Sequence, residues 1–288
     1  MIYVVQLGTI PYGEGLRLQQ TLVELRKAGN IGDVLLLLEH TPVVTLGRNA
    51  KAVNVLVSTE QLAARGVEVF ECDRGGDVTF HGPGQIVGYP IFDLRGFERS
   101  SQLSVVSSQE EHGPKQGSLP VGRKTLGVVD YVRCLEEVLI RTCADFGIAS
   151  GRVAGLTGVW TEHSGSAGQR AAVPAQEAKI AAIGVHISRS VTSHGLALNV
   201  NTDLSYFDLI VPCGITSKPV TSMQKELGRK MEMEAVAHSL SRNFGTVFGR
   251  QMLCVETVDA LLGNTVGVPM KAPSELRHLR GEEDLFEV

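Results

Sequence analysis

The chain has 288 residues, of which 43% are hydrophobic and 20% charged, a composition typical of globular rather than disordered proteins. Its 27 basic and 31 acidic residues give a formal net charge of −4, which does not favour a dedicated nucleic-acid-binding protein. No hydrophobic run approaches the roughly 20 residues of a membrane-spanning helix, and Met1–Val5 resembles a strand more than a signal peptide. The five cysteines form no CxxC pair, so we expect a cytoplasmic protein with free thiols and no metal site.

The first third of the chain is predicted to alternate between helices and strands. Apolar residues at helical spacing, followed by Gly29 as a C-terminal stop, predict the first helix. The elements expected up to residue 94 are helices over 16–26 and 59–65, strands over 33–39, 43–46 and 67–72, and an extended segment over 85–94. Their order follows no strict βαβ rhythm, which favours a mixed sheet covered by helices.

Two polar segments without periodicity, 99–123 and 163–177, interrupt the rest of the chain and are predicted to be surface insertions. The elements expected around and after them are long helices over 126–146 and 236–248, strands over 155–161, 179–187 and 191–200, and a short helix with a capping box formed by Thr221 and Gln224. Residues 256–288 are predicted to form a peripheral, partly frayed C-terminal extension.

A glycine-rich segment, Arg74–Gln85, is the densest candidate site in the sequence. Its four glycines allow the backbone to approach a ligand closely, and Arg74, Thr79 and His81 offer a cation and hydrogen bonds to a polar head or an oxyanion. The segment is neither a phosphate-binding P-loop nor a dinucleotide fingerprint. The alternative interpretation is a glycine-rich hairpin with a surface histidine.

Cys213 and Lys179 are candidate reactive residues in segments of otherwise apolar character. Cys213 lies between Pro212 and Gly214, on a predicted tight turn that leaves room for a substrate, although a cysteine in an apolar setting is more often buried and inert. Lys179 heads an apolar strand, either as a solvated strand end or as a desolvated amine that activates a nucleophile. His81 and His194 compete for that activating role, and imidazole is the first choice on chemical grounds.

Four blocks, taken together and in this order, strongly resemble the octanoyl (lipoyl) transferases of lipoate biosynthesis. The blocks are Arg74–Tyr89, Lys179–Val185, Thr192–Asn199 and Ile210–Gly214, with lesser matches at Glu39–Gly47 and Gly158–Trp160. The resemblance implies an α+β, biotin/lipoate protein ligase-like fold, with mixed β-sheets packed with helices in a single catalytic domain over residues 1–255. The insertions 99–123 and 163–177 are longer than the usual connections of that family.

The resemblance also implies a reaction and a set of site residues. Cys213 matches the nucleophile that forms an acyl thioester, and Lys179 matches the residue that activates it. The positions that match substrate-contacting residues are Arg74, Gly75, Gly76, Asp77, Val78, Thr79, Phe80 and His81, then Ala182, Ile183 and Gly184, then Gly195, Leu196 and Ala197. The implied donor is octanoyl-acyl carrier protein, and the implied acceptors are lysines on lipoyl domains of 2-oxoacid dehydrogenase complexes and on the glycine cleavage H protein.

Three alternatives are distinguished by their chemistry. An ATP-dependent lipoate or biotin protein ligase of the same fold needs an adenylate pocket and no nucleophilic thiol. A non-catalytic module that binds acyl carriers or lipoyl domains gives no reason for Cys213 and Lys179 to occur together. A thioesterase replaces the acceptor lysine by water. Because a thioester is converted into a more stable amide, the expected transfer needs no ATP, cofactor or metal.

Overall fold

A computed structural model describes residues 1–97, 125–163, 176–215 and 218–266. The strands are β1 (Ile2–Ile10), β2 (Asp33–His40), β3 (Val43–Leu46), β4 (Glu68–Glu71), β5 (Val78–His81), β6 (Gln85–Ile91), β7 (Ser150–Val153), β8 (Leu156–His163), β9 (Gln176–Ser188), β10 (Val191–Asn199) and β11 (Met252–Val255). The helices are α1 (Tyr12–Lys27), α2 (Thr59–Ala64), α3 (Val128–Asp145), α4 (Met223–Leu227), α5 (Met233–Phe248) and α6 (Val258–Val266).

The strands form one large and one small sheet. The large sheet has the order β11-β1-β2-β6-β10-β9-β8-β7, and the small sheet has the order β4-β3-β5. Strand β1 runs parallel to β2 and β11, whereas β2, β6, β10, β9, β8 and β7 pair antiparallel in succession. The predicted mixed sheets packed with helices are therefore confirmed.

The large sheet is buried on both faces, which explains the uninterrupted apolar run of β2. Successive side chains of a strand point to opposite faces, so Leu35 and Leu37 pack into the core beneath α3 and α5, while Leu36 and Leu38 pack into a second core with α1. The small sheet has a third core, to which Val44, Val78 and Phe80 contribute. In the described part of the chain, no helix is both long enough and apolar enough to cross a bilayer.

Three local features differ from the sequence predictions. Helix α1 begins at Tyr12, four residues before the predicted start, because Gly13 and Gly15 weaken the helical signal there. Gly15 is needed in this position, since an added Cβ would lie 2.9 Å from the His40 ring.

The predicted capping box of Thr221 and Gln224 is wrong. Ser222 caps α4, because its hydroxyl accepts a hydrogen bond of 3.2 Å from the Lys225 backbone N–H, and the Thr221 hydroxyl instead donates to the Glu226 carboxylate at 2.6 Å.

The C-terminal segment, which we predicted to be peripheral, contributes to the interior over its described part. Leu261 and Leu262 of α6 are fully buried in the second core. The insertion predicted over 99–123 lies outside the described residues, as does 164–175 of the second insertion. That second range also overlaps β9, which begins at Gln176.

Candidate active site

Lys179 and Cys213, the two predicted reactive residues, are in direct contact. The Lys179 Nζ donates a hydrogen bond of 3.2 Å to the Cys213 Sγ. Lys179 is 7% exposed, and Cys213 is half-buried. A cation this close to a thiol favours the thiolate, which is the nucleophilic form of cysteine. The contact therefore supplies the cationic neighbour that a reactive thiol requires.

Cys213 lies on a segment that is held by an isolated β-bridge on either side. Before it, Ile210 forms a β-bridge with Val55, and after it, Val220 forms a bridge with Lys179 itself. The turn Pro212–Gly214 between these bridges is tight, and Cys213 adopts φ +56°, a left-handed conformation that costs most residues about 1 kcal/mol or more. The sequence prediction of a tight turn at this cysteine is thus confirmed.

The turn is held by a carboxylate from the glycine-rich segment. The Asp77 side chain accepts hydrogen bonds from the Asn54 side chain at 2.6 Å and from the Lys51 backbone N–H at 3.1 Å. The Val211 backbone N–H donates to the Asn54 carbonyl at 2.7 Å. Gly214 lies so close that an added Cβ would be 2.8 Å from Asp77 Oδ2. Asp77, predicted to contact substrate, is therefore also a structural support of the Cys213 turn.

A cavity opens beside Cys213 between the two sheets. Most predicted substrate-contacting residues line it: Arg74, Gly75, Gly76, Asp77, Thr79, His81, Ala182, Ile183, Gly184, Gly195, Leu196 and Ala197. Val78 and Phe80 do not, because alternate residues of β5 face opposite sides, and these two are buried in the third core. The side chains of these two residues therefore lie away from the cavity wall, whereas substrate contact by the segment Arg74 to His81 stays a prediction.

Arg74 contributes a buried positive charge to the wall of this cavity. Its guanidinium donates to the Thr45 carbonyl at 2.7 Å, to the Thr45 hydroxyl at 2.8 Å and to the Gly75 carbonyl at 3.2 Å. These partners are neutral oxygens, and within the described ranges no carboxylate forms a salt bridge with Arg74. The charge is therefore available to stabilise negative charge that develops in the cavity.

Two glycines of the later blocks are required by close backbone contacts. An added Cβ at Gly184 would lie 2.8 Å from the Gly75 carbonyl oxygen, and one at Gly195 would lie 2.1 Å from the Gly88 carbonyl oxygen. The Gly75 backbone N–H also donates to the Val185 carbonyl at 3.0 Å, which holds the glycine-rich segment against β9. These glycines thus bring the walls of the cavity together.

Burial disfavours the charged form of both histidines at the cavity, and each is hydrogen-bonded to a group other than Cys213. Gln85 donates through its Nε2 to the Phe80 carbonyl and to Asn199, so its Oε1 accepts from Nδ1 of His81 at 2.7 Å. Burial lowers the pKa of His81 to about 3. Burial also lowers the pKa of His194, although a hydrogen bond of 2.7 Å to the Asp73 carboxylate opposes the shift.

Neither imidazole is placed as the activating base. Among the described residues, the hydrogen-bond partner of Cys213 Sγ is Lys179 and not a histidine. The first choice made on chemical grounds, imidazole, is therefore not supported by the geometry.

A family model described as "Lipoyl protein ligase A/B catalytic domain" matches residues 11–109 and 112–245 of this chain. The chain belongs to the lipoyl protein ligase A/B catalytic-domain family. Among curated relatives, it is similar to an octanoyltransferase of Koribacter versatilis, with 54% identity over 285 residues and 99% of both chains covered. An octanoyltransferase of Acidobacterium capsulatum is 54% identical over 264 residues, covering 91% of this chain and 96% of the relative.

Solved structures of lipoate protein ligases share the fold. A bipartite lipoate protein ligase from Thermoplasma acidophilum has a TM-score of 0.59 at 14% identity, covering 91% of this chain and 90% of the ligase. A lipoate-protein ligase A bound with ATP has a TM-score of 0.60 at 13% identity, covering 91% of this chain and 92% of the ligase. At such low identity the likeness shows the fold alone, and it confirms the predicted biotin/lipoate protein ligase-like architecture.

Several residues at the site of this family member escaped the sequence reasoning. Tyr12 and Tyr89 line the cavity, and Tyr12 packs its ring parallel to that of His81, with centroids 6.3 Å apart. The Tyr89 hydroxyl bonds to His40 Nε2 at 2.7 Å. Tyr12 lies at the start of α1, far from the matched blocks, so no local pattern marks it. His40 and Tyr89 lie inside segments that match the octanoyl transferases, and this match is the only feature of the sequence that marks them.

Acid is expected to destabilise the fold through His40 and His81. Burial lowers the pKa of His40 to about 4 and that of His81 to about 3, against about 6.5 for an exposed histidine. At a pH between the low pKa of the folded state and the pKa of an exposed histidine, the unfolded chain therefore binds more protons than the folded chain. The free energy of unfolding falls as the pH is lowered through this range. From pH 7 to pH 5, we expect the free energy of unfolding to decrease by about 2 kcal/mol per ring, measured by urea denaturation.

A matched pair of variants tests this assignment. His40→Gln should remove the contribution of one ring to the pH dependence, whereas His238→Gln, at a side chain that is 68% exposed, should leave the dependence unchanged. An unaltered dependence in His40→Gln would show that His40 is not the group that acid protonates on unfolding.

Proposed function

We propose that this chain transfers an octanoyl group in two steps through an acyl thioester on Cys213. The curated relatives confirm the prediction of an octanoyltransferase, and the route is what we add. The observation that carries it is the 3.2 Å contact of Lys179 Nζ with Cys213 Sγ at the edge of the cavity. A cysteine nucleophile needs such an activating group, whereas an adenylate-forming ligase does not.

In the first step, the Cys213 thiolate attacks the thioester carbonyl of octanoyl-acyl carrier protein. A carbon–sulfur bond to Cys213 forms while the bond to the carrier's phosphopantetheine sulfur breaks, and the carrier leaves as a thiol with a proton that the Lys179 ammonium gives up. The carbonyl oxygen is negatively charged in between. The buried positive charge of Arg74, in the wall of the same cavity, supports stabilisation of that oxygen.

In the second step, the amine of a lysine on a lipoyl domain attacks the octanoyl-Cys213 carbonyl. The new bond is an amide, and the Cys213 sulfur leaves as a thiolate beside the Lys179 ammonium. The proton that the amine loses during the attack returns the Lys179 Nζ to its ammonium form. Since an amide is more stable than a thioester, neither step requires ATP.

The cavity beside Cys213 provides the place for the acyl chain. Ala182, Ile183, Leu196 and Ala197 supply apolar surface in its walls. Burying each CH₂ of the chain should favour binding by about 0.8 kcal/mol. The close approach of Gly184 to Gly75 packs the glycine-rich segment against the strand that carries Ala182 and Ile183.

The donor, the acceptors and the location are part of the proposal. We assign octanoyl-acyl carrier protein as the donor, and lipoyl domains of 2-oxoacid dehydrogenase complexes and the glycine cleavage H protein as acceptors. The reaction needs Cys213 as a free thiol, and the cysteines of the described residues are unpaired. This requirement supports a reducing, cytoplasmic location.

An ATP-free transfer assay with intact-protein mass spectrometry tests this function. Wild-type protein mixed with octanoyl-carrier protein is expected to gain the mass of one octanoyl group, and to lose it when a lipoyl domain is added. The lipoyl domain should gain the same mass, at a rate that ATP does not change.

Each alternative gives a different result in this assay. A ligase would require ATP and a free acid, a thioesterase would release octanoate, and a binding module would produce no modified protein. Turnover by wild-type protein that never carries the acyl group would rule out the covalent route.

A further inference from the structure

The side chain of Lys179 is held by the neighbouring strand β8 as well as by its own strand. Trp160 of β8 lies opposite Lys179 in the antiparallel pairing, so the two side chains share one face of the sheet. The Lys179 Nζ is 5.2 Å from the centroid of the Trp160 ring, a distance at which the ring attracts a cation. The ring is 3% exposed, so water does not compete for this contact.

The stem of Lys179 passes over a glycine that leaves room for it. Gly158 adopts φ +118° beside an irregularity in the pairing of β8 with β9, and an added Cβ would lie 2.8 Å from Lys179 Cε and 2.6 Å from the Ala181 carbonyl oxygen. A side chain at this position would therefore displace the stem of Lys179 from its path to Cys213.

The backbone at Gly158 is itself fixed by a buried carboxylate of helix α3. Glu136 Oε1 accepts a hydrogen bond of 3.2 Å from the Gly158 N–H. Its other oxygen accepts from Arg133 at 2.8 Å and from Arg152 at 3.0 Å. Because both oxygens are engaged, the carboxylate cannot turn away, and the strand that carries Trp160 is tied to the helix.

We propose that Trp160 is a positioning residue for transfer: its ring holds the Lys179 ammonium at Cys213, and Gly158 keeps open the space that the stem of Lys179 occupies. A lysine has a flexible four-carbon stem, so the single contact with Cys213 would not keep its ammonium beside the sulfur. A second cation, the Lys218 Nζ, lies 5.8 Å from the same ring but pairs with Glu177. The inference rests on the proposed role of Lys179.

Two substitutions of Trp160 separate positioning from packing. Trp160→Leu is expected to lower kcat for transfer by about tenfold with KM little changed, and to slow iodoacetamide alkylation of Cys213 near neutral pH. Trp160→Phe keeps an aromatic face and should restore much of the kcat and much of the rate of Cys213 alkylation. A purely structural role would lower the melting temperature of both variants while leaving the pH profile of alkylation, measured well below melting, at its wild-type position.

A matched pair of glycines gives an independent test. Gly158→Ala and Gly155→Ala both place a methyl group on a residue with positive φ in the same hairpin, but nothing lies within 4 Å of the added Cβ at Gly155. We expect Gly158→Ala to shift the alkylation profile to higher pH and to lower kcat, and Gly155→Ala to do neither. This comparison decides the matter if Trp160→Leu does not fold, and the comparison of Trp160→Leu with Trp160→Phe decides it if Gly158→Ala does not fold.

Wild-type alkylation profiles in Trp160→Leu and Gly158→Ala would overturn the inference. The alkylation measurement needs no acyl donor or acceptor, so it separates the two proposals. A wild-type protein that transfers nothing would refute the proposed function, while a shifted profile in these variants would still show that Trp160 positions Lys179.

Discussion

Cys213→Ala is expected to lower octanoyl transfer by about a thousandfold or more, because the acyl group then has no sulfur to which it can bind. The fold should survive. Cys213 is only half-buried, and alanine meets the same left-handed backbone that cysteine already tolerates at this turn. The measurement is the rate of lipoyl-domain acylation, together with the melting temperature and the mass of the protein after mixing with the donor.

Cys254→Ala is the matched control, since it makes the same change at an exposed thiol of strand β11. It should transfer octanoyl groups and acquire the adduct as wild type does. If Cys213→Ala kept a rate within a few fold of the wild type, the attacking atom would have to be sought elsewhere.

Lys179→Met is expected to reduce transfer by about a hundredfold, within the range found for groups that move protons in catalysis. Methionine preserves an unbranched stem against Trp160 but removes the charge 3.2 Å from the sulfur. The variant thus loses the cation beside the sulfur that favours the nucleophilic form of a cysteine. The pH at which iodoacetamide alkylation reaches half its maximal rate should therefore rise.

Lys218→Met provides the control, because Lys218 lies over the same tryptophan ring yet bonds to Glu177 and not to Cys213. Its alkylation profile should coincide with that of the wild type. Coincident profiles for Lys179→Met and the wild type would remove Lys179 from the activating role.

The elements with the clearest periodicity were predictable from the sequence. The apolar stripes of α3 and α5 and the continuous run of β2 follow directly from burial on one helix face or on both faces of a sheet. The separation of β3, β4 and β5 into a small sheet was not predictable, because strand pairing depends on long-range contacts that no local pattern records.

The candidate site was reached through resemblance rather than through residue patterns. Cys213 and Lys179 are 34 positions apart, and their meeting depends on the bridge between Lys179 and Val220. Chemistry alone favoured imidazole, and the burial that keeps His81 neutral became visible only in three dimensions. Matching a contiguous block also takes no account of strand alternation, which turns the side chains of Val78 and Phe80 away from the cavity.

Lys179 lies on a strand of the large sheet, whereas Cys213 lies on a turn outside both sheets. Lys179 moves with the large sheet, whereas Cys213 is tethered through Val211, Asn54 and Asp77 to the small one. A hydrogen bond weakens steeply with length, so a slight slippage between the sheets separates ammonium from sulfur while both cores stay intact. Heat or mild denaturant should therefore inactivate this protein before it melts.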